Sequence, residues 1–167
     1  PATHRSMVRV GIAMYGIWPS ALVEKTVRRH NVPLDLEPVL SFKTRVAQVK
    51  SLPAGTPVSY GLTETLRKAS RIAVLPVGYS DGFDRGLSSV AEVLISGVRC
   101  KVLGRVCMNM TMVDVSAVPQ IEAEQEVVMI GRSGRFLVSA DEIAKHAGTI
   151  GYEVVARISP SLPRVVL

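Results

Sequence analysis

Three glycine-flanked clusters hold residue types that could do chemistry: Val58-Ser59-Tyr60-Gly61, Gly78-Tyr79-Ser80-Asp81-Gly82 and Gly104-Arg105-Val106-Cys107-Met108-Asn109. Glycine lets a second backbone or a ligand come close, so a tyrosine beside it can present a phenol to a bound molecule. Taken singly, each cluster also reads as a turn with an amphipathic tyrosine at the rim of a core. Metal chemistry has less to build on. The cysteines are Cys100 and Cys107, with no Cys-x-x-Cys spacing, and His4, His30 and His146 are scattered. Neither a disulfide framework nor a metal site is expected, and the histidines are expected to be solvated or structural.

The elements that must position these clusters come from a chain of 167 residues, 47% apolar, which is enough to bury a core. No apolar run approaches the ~20 residues of a membrane span, and Pro1-Ala2-Thr3-His4-Arg5 lacks the apolar stretch of a secretory leader. The chain is therefore expected to be soluble and cytoplasmic, with no membrane partner. A net charge of +6 raises nucleic acid as a partner, but lysine and arginine are spread along the chain and aromatics make up only 5%. Few bases could stack, so no nucleic acid is expected and an anionic small molecule fits better.

Residues 7–15 are almost uniformly apolar, predicting a strand covered on both faces as in an α/β architecture. Such a strand needs parallel neighbours and crossover helices. Residues 21–30 predict a short helix capped by Ser20 and stopped at Asn31-Val32-Pro33. Beyond it, residues 39–52, 71–78, 92–95, 99–106, 110–115, 126–130 and 136–138 are short runs rich in β-branched residues. Turn signals at Pro53-Ala54-Gly55, Ser96-Gly97 and Arg132-Ser133-Gly134 separate them, predicting antiparallel strands in a barrel or sandwich. Ser139 to Glu142 has capping-box spacing, opening a helix that Gly148 ends, and residues 152–158 are expected to form a last strand.

Read together and in order, five segments resemble the alanine racemase family. They are Met7-Val8-Arg9-Val10-Gly11-Ile12-Ala13-Met14-Tyr15-Gly16, Val58-Ser59-Tyr60-Gly61, Gly78-Tyr79-Ser80-Asp81-Gly82, Gly104-Arg105-Val106-Cys107-Met108 and Gly148-Thr149-Ile150-Gly151-Tyr152-Glu153, with Pro163-Arg164 fitting as well. The resemblance spans essentially the whole chain. It implies a homodimer of subunits that join an eight-stranded α/β barrel to a C-terminal β-domain, with pyridoxal 5'-phosphate as cofactor. The expected fold is mainly β: a barrel or Greek-key-like domain over residues 34–167, preceded over residues 1–33 by the last strand and helix of the α/β barrel. The remaining barrel, which carries the cofactor lysine in the family, is expected as a partner, on a separate chain or severed from this one.

The implied activity is interconversion of L- and D-alanine by two bases on opposite faces of the substrate, supplying D-alanine for bacterial peptidoglycan, with this chain inactive alone. By resemblance Tyr60 is one base, reaching into the partner subunit's site, and the lysine serves the other face. A free tyrosine titrates near ~10, so basic action near neutrality requires offsetting roughly three units, about 4 kcal/mol. Arg9 matches the arginine facing the pyridine nitrogen, Gly11 and Ile12 the backbone donors to the cofactor phosphate, and Tyr152 a hydroxyl on that phosphate. Met108 matches the backbone N–H that holds the substrate carboxylate, and Tyr79 a tyrosine lining the entrance. Asn109 stands where the family commonly has aspartate, removing a charge near the substrate, and Ser161 where it usually has arginine, removing a charge from a C-terminal ion pair. A racemase accepting serine, and a non-catalytic β-barrel interaction module, are the alternatives.

Overall fold

The computed structural model describes residues 6–166 and divides the chain into two compact units, Pro1–Leu40 and Ser41–Leu167. His4 lies outside the described residues.

In the first unit the run expected as a strand is not one. Residues 7–11 pair with no strand among the described residues, and Ile12–Tyr15 winds into a 3-10 turn closed by Gly16. The reason is the one that makes a strand: its backbone groups need a neighbour, and no strand of this unit provides one. Met7, Val8, Val10 and Met14 are accordingly exposed. Gly16 has φ +71°, and a Cβ there would lie 1.7 Å from the Glu37 carbonyl oxygen, so glycine is needed where residue 37 crosses. Helix α1, Ala21–Arg29, forms as expected: the Ser20 hydroxyl accepts from the Val23 N–H at 3.2 Å, and Glu24 pairs with Arg28 one turn on.

The second unit is mainly β, as expected. Its strands are β1 (Phe42–Arg45), β2 (Gln48–Leu52), β3 (Pro57–Val58), β4 (Glu64–Thr65), β5 (Ser70–Leu75), β6 (Glu92–Ile95), β7 (Val98–Lys101), β8 (Thr111–Asp114), β9 (Glu126–Ser133) and β10 (Phe136–Val138). All pairings are antiparallel. One sheet runs β1-β9-β6-β7, with β10 folded back on the end of β9, and a second runs β2-β5-β8. The two are joined twice. The chain passes directly from β1 to β2 through Val46, which is fully buried, and Val102 after β7 bridges to Val113 of β8. The strand path therefore returns on itself as a barrel, which leaves few unpaired edges.

Val46, Ala73, Leu75, Val93, Leu94, Ile95, Val113, Val127 and Met129 are all inaccessible to solvent, and since Leu94 points to the face opposite Val93 and Ile95, β6 is buried on both sides. The β6-β7 hairpin turns on Ser96 (φ +49°) and Gly97 (φ +71°), two successive left-handed residues that match the twist of the flanking strands. Cys100 is buried on β7, and that burial, with Asp114 and Glu92 adding to it, pushes its thiol up to about 12.

Two helices, packed against each other, follow the strands. Helix α2, Ala140–Ala147, starts on Ser139, whose hydroxyl accepts from the Glu142 N–H at 3.0 Å, and ends at Gly148 with φ +70°. Glu142 does not complete the expected capping box. Its carboxylate instead receives the Arg99 guanidinium at 2.7 Å, which also reaches Glu92 at 2.9 Å and the Leu137 carbonyl at 2.7 Å, tying α2 to the β6-β7 hairpin. The two carboxylates hold Arg99 well above the usual arginine range. Ser139→Ala is expected to cost about 1 kcal/mol, read as a lower denaturant midpoint with unchanged slope.

The expected last strand is a helix, α3, Gly151–Arg157. Val154 and Ile158 are buried four residues apart, and Glu153 pairs with Arg157 at the same spacing at 2.7 Å. That period belongs to a helix face and overrides the β-branched composition. No helix among the described residues is long and apolar enough to cross a membrane.

Candidate active site

The excursion between β2 and β5 carries Tyr60. Its two short strands pair Pro57 with Thr65 and Val58 with Glu64, and it is held by burial of Val58 and Leu66 against Ile72 and Leu103. At the tip Ser59 has φ +68° and Gly61 φ +73°. The Ser59 conformation is costly for a residue with a side chain, and it is compensated by a hydrogen bond from its hydroxyl to the Arg105 carbonyl at 2.8 Å. Gly104 permits that contact, since a Cβ there would meet the Ser59 Cβ at 2.4 Å. With both flanks anchored, the tip turns Tyr60 outward and leaves it 71% exposed.

A second turn, a 3-10 turn at Tyr79–Asp81, begins at Gly78 with its N–H donating to the Asp81 carboxylate at 2.9 Å. It lies directly on the loop 107–110. The Tyr79 N–H donates to the Cys107 carbonyl at 3.0 Å, and the Met108 carbonyl accepts from the Ser80 N–H at 2.9 Å and the Ser80 hydroxyl at 2.7 Å. Below it, the buried Thr111 hydroxyl donates to the Val77 carbonyl at 2.7 Å. A Cβ on Gly78 would sit 2.1 Å from the Cys107 oxygen and 2.5 Å from the Met108 oxygen. Only glycine admits this approach.

These loops enclose a cavity of about 540 Å³ lined by Tyr60, Tyr79, Met108 and Asn109 together with Arg85, Arg105, Val106, Cys107 and Met110. Four of the residues singled out in the sequence are thus brought to one place. Arg105 stands inside one of the glycine-flanked clusters, though without an assigned role, whereas Arg85 lies outside all of them, in a turn beside Gly86 whose local pattern does not mark it as facing a cavity. No acidic residue lines it, so its field is positive and favours an anion.

Tyr152 is not among the lining residues. It stands in the first turn of α3, partly exposed, on a helix whose far end is pinned to the Tyr79 turn. The Ser159 N–H donates to the Asp81 carbonyl at 3.1 Å, Arg157 pairs with Asp84 at 2.6 Å, and a Cβ on Gly82 would lie 2.7 Å from the Arg157 carbonyl oxygen. Thr149 and the Glu153 carboxylate are hydrogen-bonded across the start of the same helix.

Arg9, Gly11 and Ile12 belong to the first unit. Arg9 and Gly11 are exposed and Ile12 is buried. The N–H groups of Gly11 and Ile12 have no partner among the described residues, while the Gly11 carbonyl accepts from the Met14 N–H at 3.0 Å. Near the C-terminus, Arg164 donates to the carbonyls of Ile158, Ser159 and Leu162, and Ser161 shares a hydrogen bond of 2.8 Å with Ser159. Among the described residues no group of histidine, cysteine or carboxylate side chains could hold a metal ion.

Comparison with known proteins gives this arrangement its context. Residues 39–166 match the family model for the alanine racemase C-terminal domain. An alanine racemase of Desulfosudis oleivorans is 48% identical over 165 residues, which cover 99% of this chain and 41% of that protein. One from Methanococcus maripaludis is 41% identical across the whole chain and 43% of its own length. Among solved structures, alanine racemase from a D-cycloserine-producing Streptomyces lavendulae superposes with a TM-score of 0.86 at 35% identity, over 99% of this chain and 42% of that one. The enzyme from Bacillus anthracis with bound L-Ala-P gives 0.79 at 38% identity, over 89% and 36%. The chain thus spans about two fifths of the relatives it matches, and it belongs to the alanine racemase family, whose C-terminal domain it carries.

Proposed function

We propose that this chain supplies one half of the active site of a pyridoxal-phosphate-dependent alanine racemase, the half that holds the substrate carboxylate and carries the tyrosine base. The observation that supports this reading most is the cavity that gathers Tyr60, Tyr79, Met108 and Asn109 beside two arginines in a member of this family. Residues 1–33 are assigned to the end of an α/β barrel and residues 34–167 to the β-domain. The barrel remainder, with the cofactor lysine, and a second subunit of the homodimer complete the assembly in the bacterial cytoplasm, and its product is D-alanine for peptidoglycan.

The residues present fit the cofactor. Each unit by itself offers neutral donors suited to a phosphate, the Gly11 and Ile12 N–H groups in the first and the Tyr152 hydroxyl in the second. When bound, the cofactor delocalises the electron pair left at Cα when its proton departs. The chain's own contributions are separate. Tyr60 takes or returns that proton on one face, and its exposure on an anchored tip suits a residue that must reach a site completed by the other subunit. Arg85 and Arg105 draw the anionic substrate inward and supply positive charge beside Tyr60: a Cβ on Gly61 would lie 3.1 Å from the Arg105 guanidinium. The Met108 N–H holds the carboxylate, and Tyr79 borders the way in.

By resemblance Arg9, exposed and permanently charged, would face the ring nitrogen of the bound cofactor, where it would disfavour protonation and so restrain side reactions. Arg9→Glu in the complete enzyme is expected to raise the ratio of transamination to racemisation at least several-fold, measured as pyruvate formed per D-alanine formed. An unchanged ratio would remove that role. The proposed activity is tested by chiral chromatography of the complete enzyme incubated with L-alanine and, separately, L-serine, with and without added cofactor. Cofactor-dependent D-alanine formation supports the reading, whereas D-serine as the faster product would favour the broader-specificity alternative. No product from either would leave a β-barrel module without catalysis.

A further inference from the structure

We propose that the carboxylate is held by two successive backbone donors, the N–H groups of Met108 and Asn109, and that Ser80 is the positioning residue that aims them. The inference rests on the proposed function and adds to it a second donor and the device that orients both.

The geometry starts from the Gly78–Ser80 backbone. It engages two consecutive carbonyls of the neighbouring loop: Cys107 accepts from the Tyr79 N–H, and Met108 accepts from the Ser80 N–H and again from the Ser80 hydroxyl. Each carbonyl shares a planar peptide with the N–H of the next residue, and no peptide bond in the described chain is cis. In a trans peptide the two groups point opposite ways. With the Cys107 and Met108 oxygens both drawn toward the turn, the Met108 and Asn109 N–H groups are both turned away from it. Neither has a hydrogen-bond partner among the described residues.

Two successive N–H groups facing one side form an anion-binding concavity. This one lies in residues that line the cavity, whose lining also includes Arg85 and Arg105 and no carboxylate. The hydrogen bonds accepted by the carbonyls also polarise the same peptides, which strengthens their N–H groups as donors. Because the donors are backbone, they are present whether residue 109 is an amide or an acid. Asn109 contributes by leaving the anion without a neighbouring negative charge.

The test uses the complete enzyme with backbone 15N label at methionine and asparagine, titrated with propionate, a carboxylate without an amine. The Met108 and Asn109 amide resonances are both expected to move with one saturating curve. Ser80→Ala is expected to weaken propionate binding and raise KM for alanine together, by about threefold to tenfold, with kcat little changed and Ser80→Thr restoring both. Binding of alaninol, which keeps the amine and methyl but has no carboxylate, is expected to be unaffected; equal weakening of both ligands would mean that Ser80 is merely structural. If the wild-type enzyme racemises alanine but the Asn109 amide stays still, the two-donor site is overturned and the proposed function stands. If it does not racemise alanine, the proposed function fails, and the amide titration still decides the anion site by itself.

Discussion

Tyr60→Phe in the complete enzyme is expected to lower kcat for alanine by about 10²- to 10⁴-fold, the range associated with losing a positioned general base. The substitution removes one oxygen and leaves the ring. Tyr60 is 71% exposed at a tip anchored by Val58 and Leu66, so the fold does not depend on its side chain. Thermal stability and cofactor absorbance are therefore expected to match wild type. The loss should appear in kcat with KM little changed, because the proposed function assigns the carboxylate to the loop 107–110 and not to the phenol. A variant that binds cofactor normally and turns over within a factor of ten of wild type would take the base role away from Tyr60.

Gly78→Ala is expected to act through backbone crowding. A Cβ there meets two carbonyl oxygens at 2.1 and 2.5 Å, and both belong to backbone that cannot rotate aside. The turn and the loop 107–110 must separate, straining or breaking the bonds from Tyr79 and Ser80. Overpacking and the lost hydrogen bonds together amount to about 2–4 kcal/mol, measured as a shift in denaturant midpoint. KM for alanine should rise at least tenfold in whatever fraction folds. Gly55 supplies the contrast. Its φ is +81° but nothing lies within 4 Å of a Cβ built there, so Gly55→Ala is expected to cost only the left-handed backbone penalty, about 1 kcal/mol, and to leave KM alone. Equal effects at the two positions would mean that close approach is not what Gly78 provides.

The β-rich body of the chain was legible because short β-branched runs broken by residues such as Ser96-Gly97 and Gly134 have few other ways to fold. Both helix starts were readable from Ser20 and Ser139, since a hydroxyl three residues before a helical N–H is a local signal. Two elements were misread for opposite reasons. Residues 7–15 have strand composition, but a strand is made by its neighbours, and apolar side chains alone do not create them. Residues 152–158 have strand composition too, yet the four-residue spacing of Val154 and Ile158 and of Glu153 and Arg157 puts the apolar and charged pairs on helical faces.

The candidate site divides in the same way. Tyr60 and Tyr79 stood out by their glycine neighbours, because close approach of backbones is a property that glycine writes into sequence, while Met108 was marked by the family resemblance. Arg85 did not, and Arg105, though inside a quoted cluster, carried no role, since an arginine facing a cavity and one facing solvent look alike until distant loops meet. The role of Ser80 depends on a contact across 28 residues and could not be read from its surroundings in the chain.

The central claim, that Tyr60 serves one face of the substrate, is tested most directly by following loss of the Cα proton of each alanine enantiomer in D2O with Tyr60→Phe in the complete enzyme. One enantiomer is expected to exchange at close to the wild-type rate, through the base on the other face, while exchange of its mirror image falls by orders of magnitude. Equal loss of exchange from both enantiomers would contradict the assignment of Tyr60 to one face.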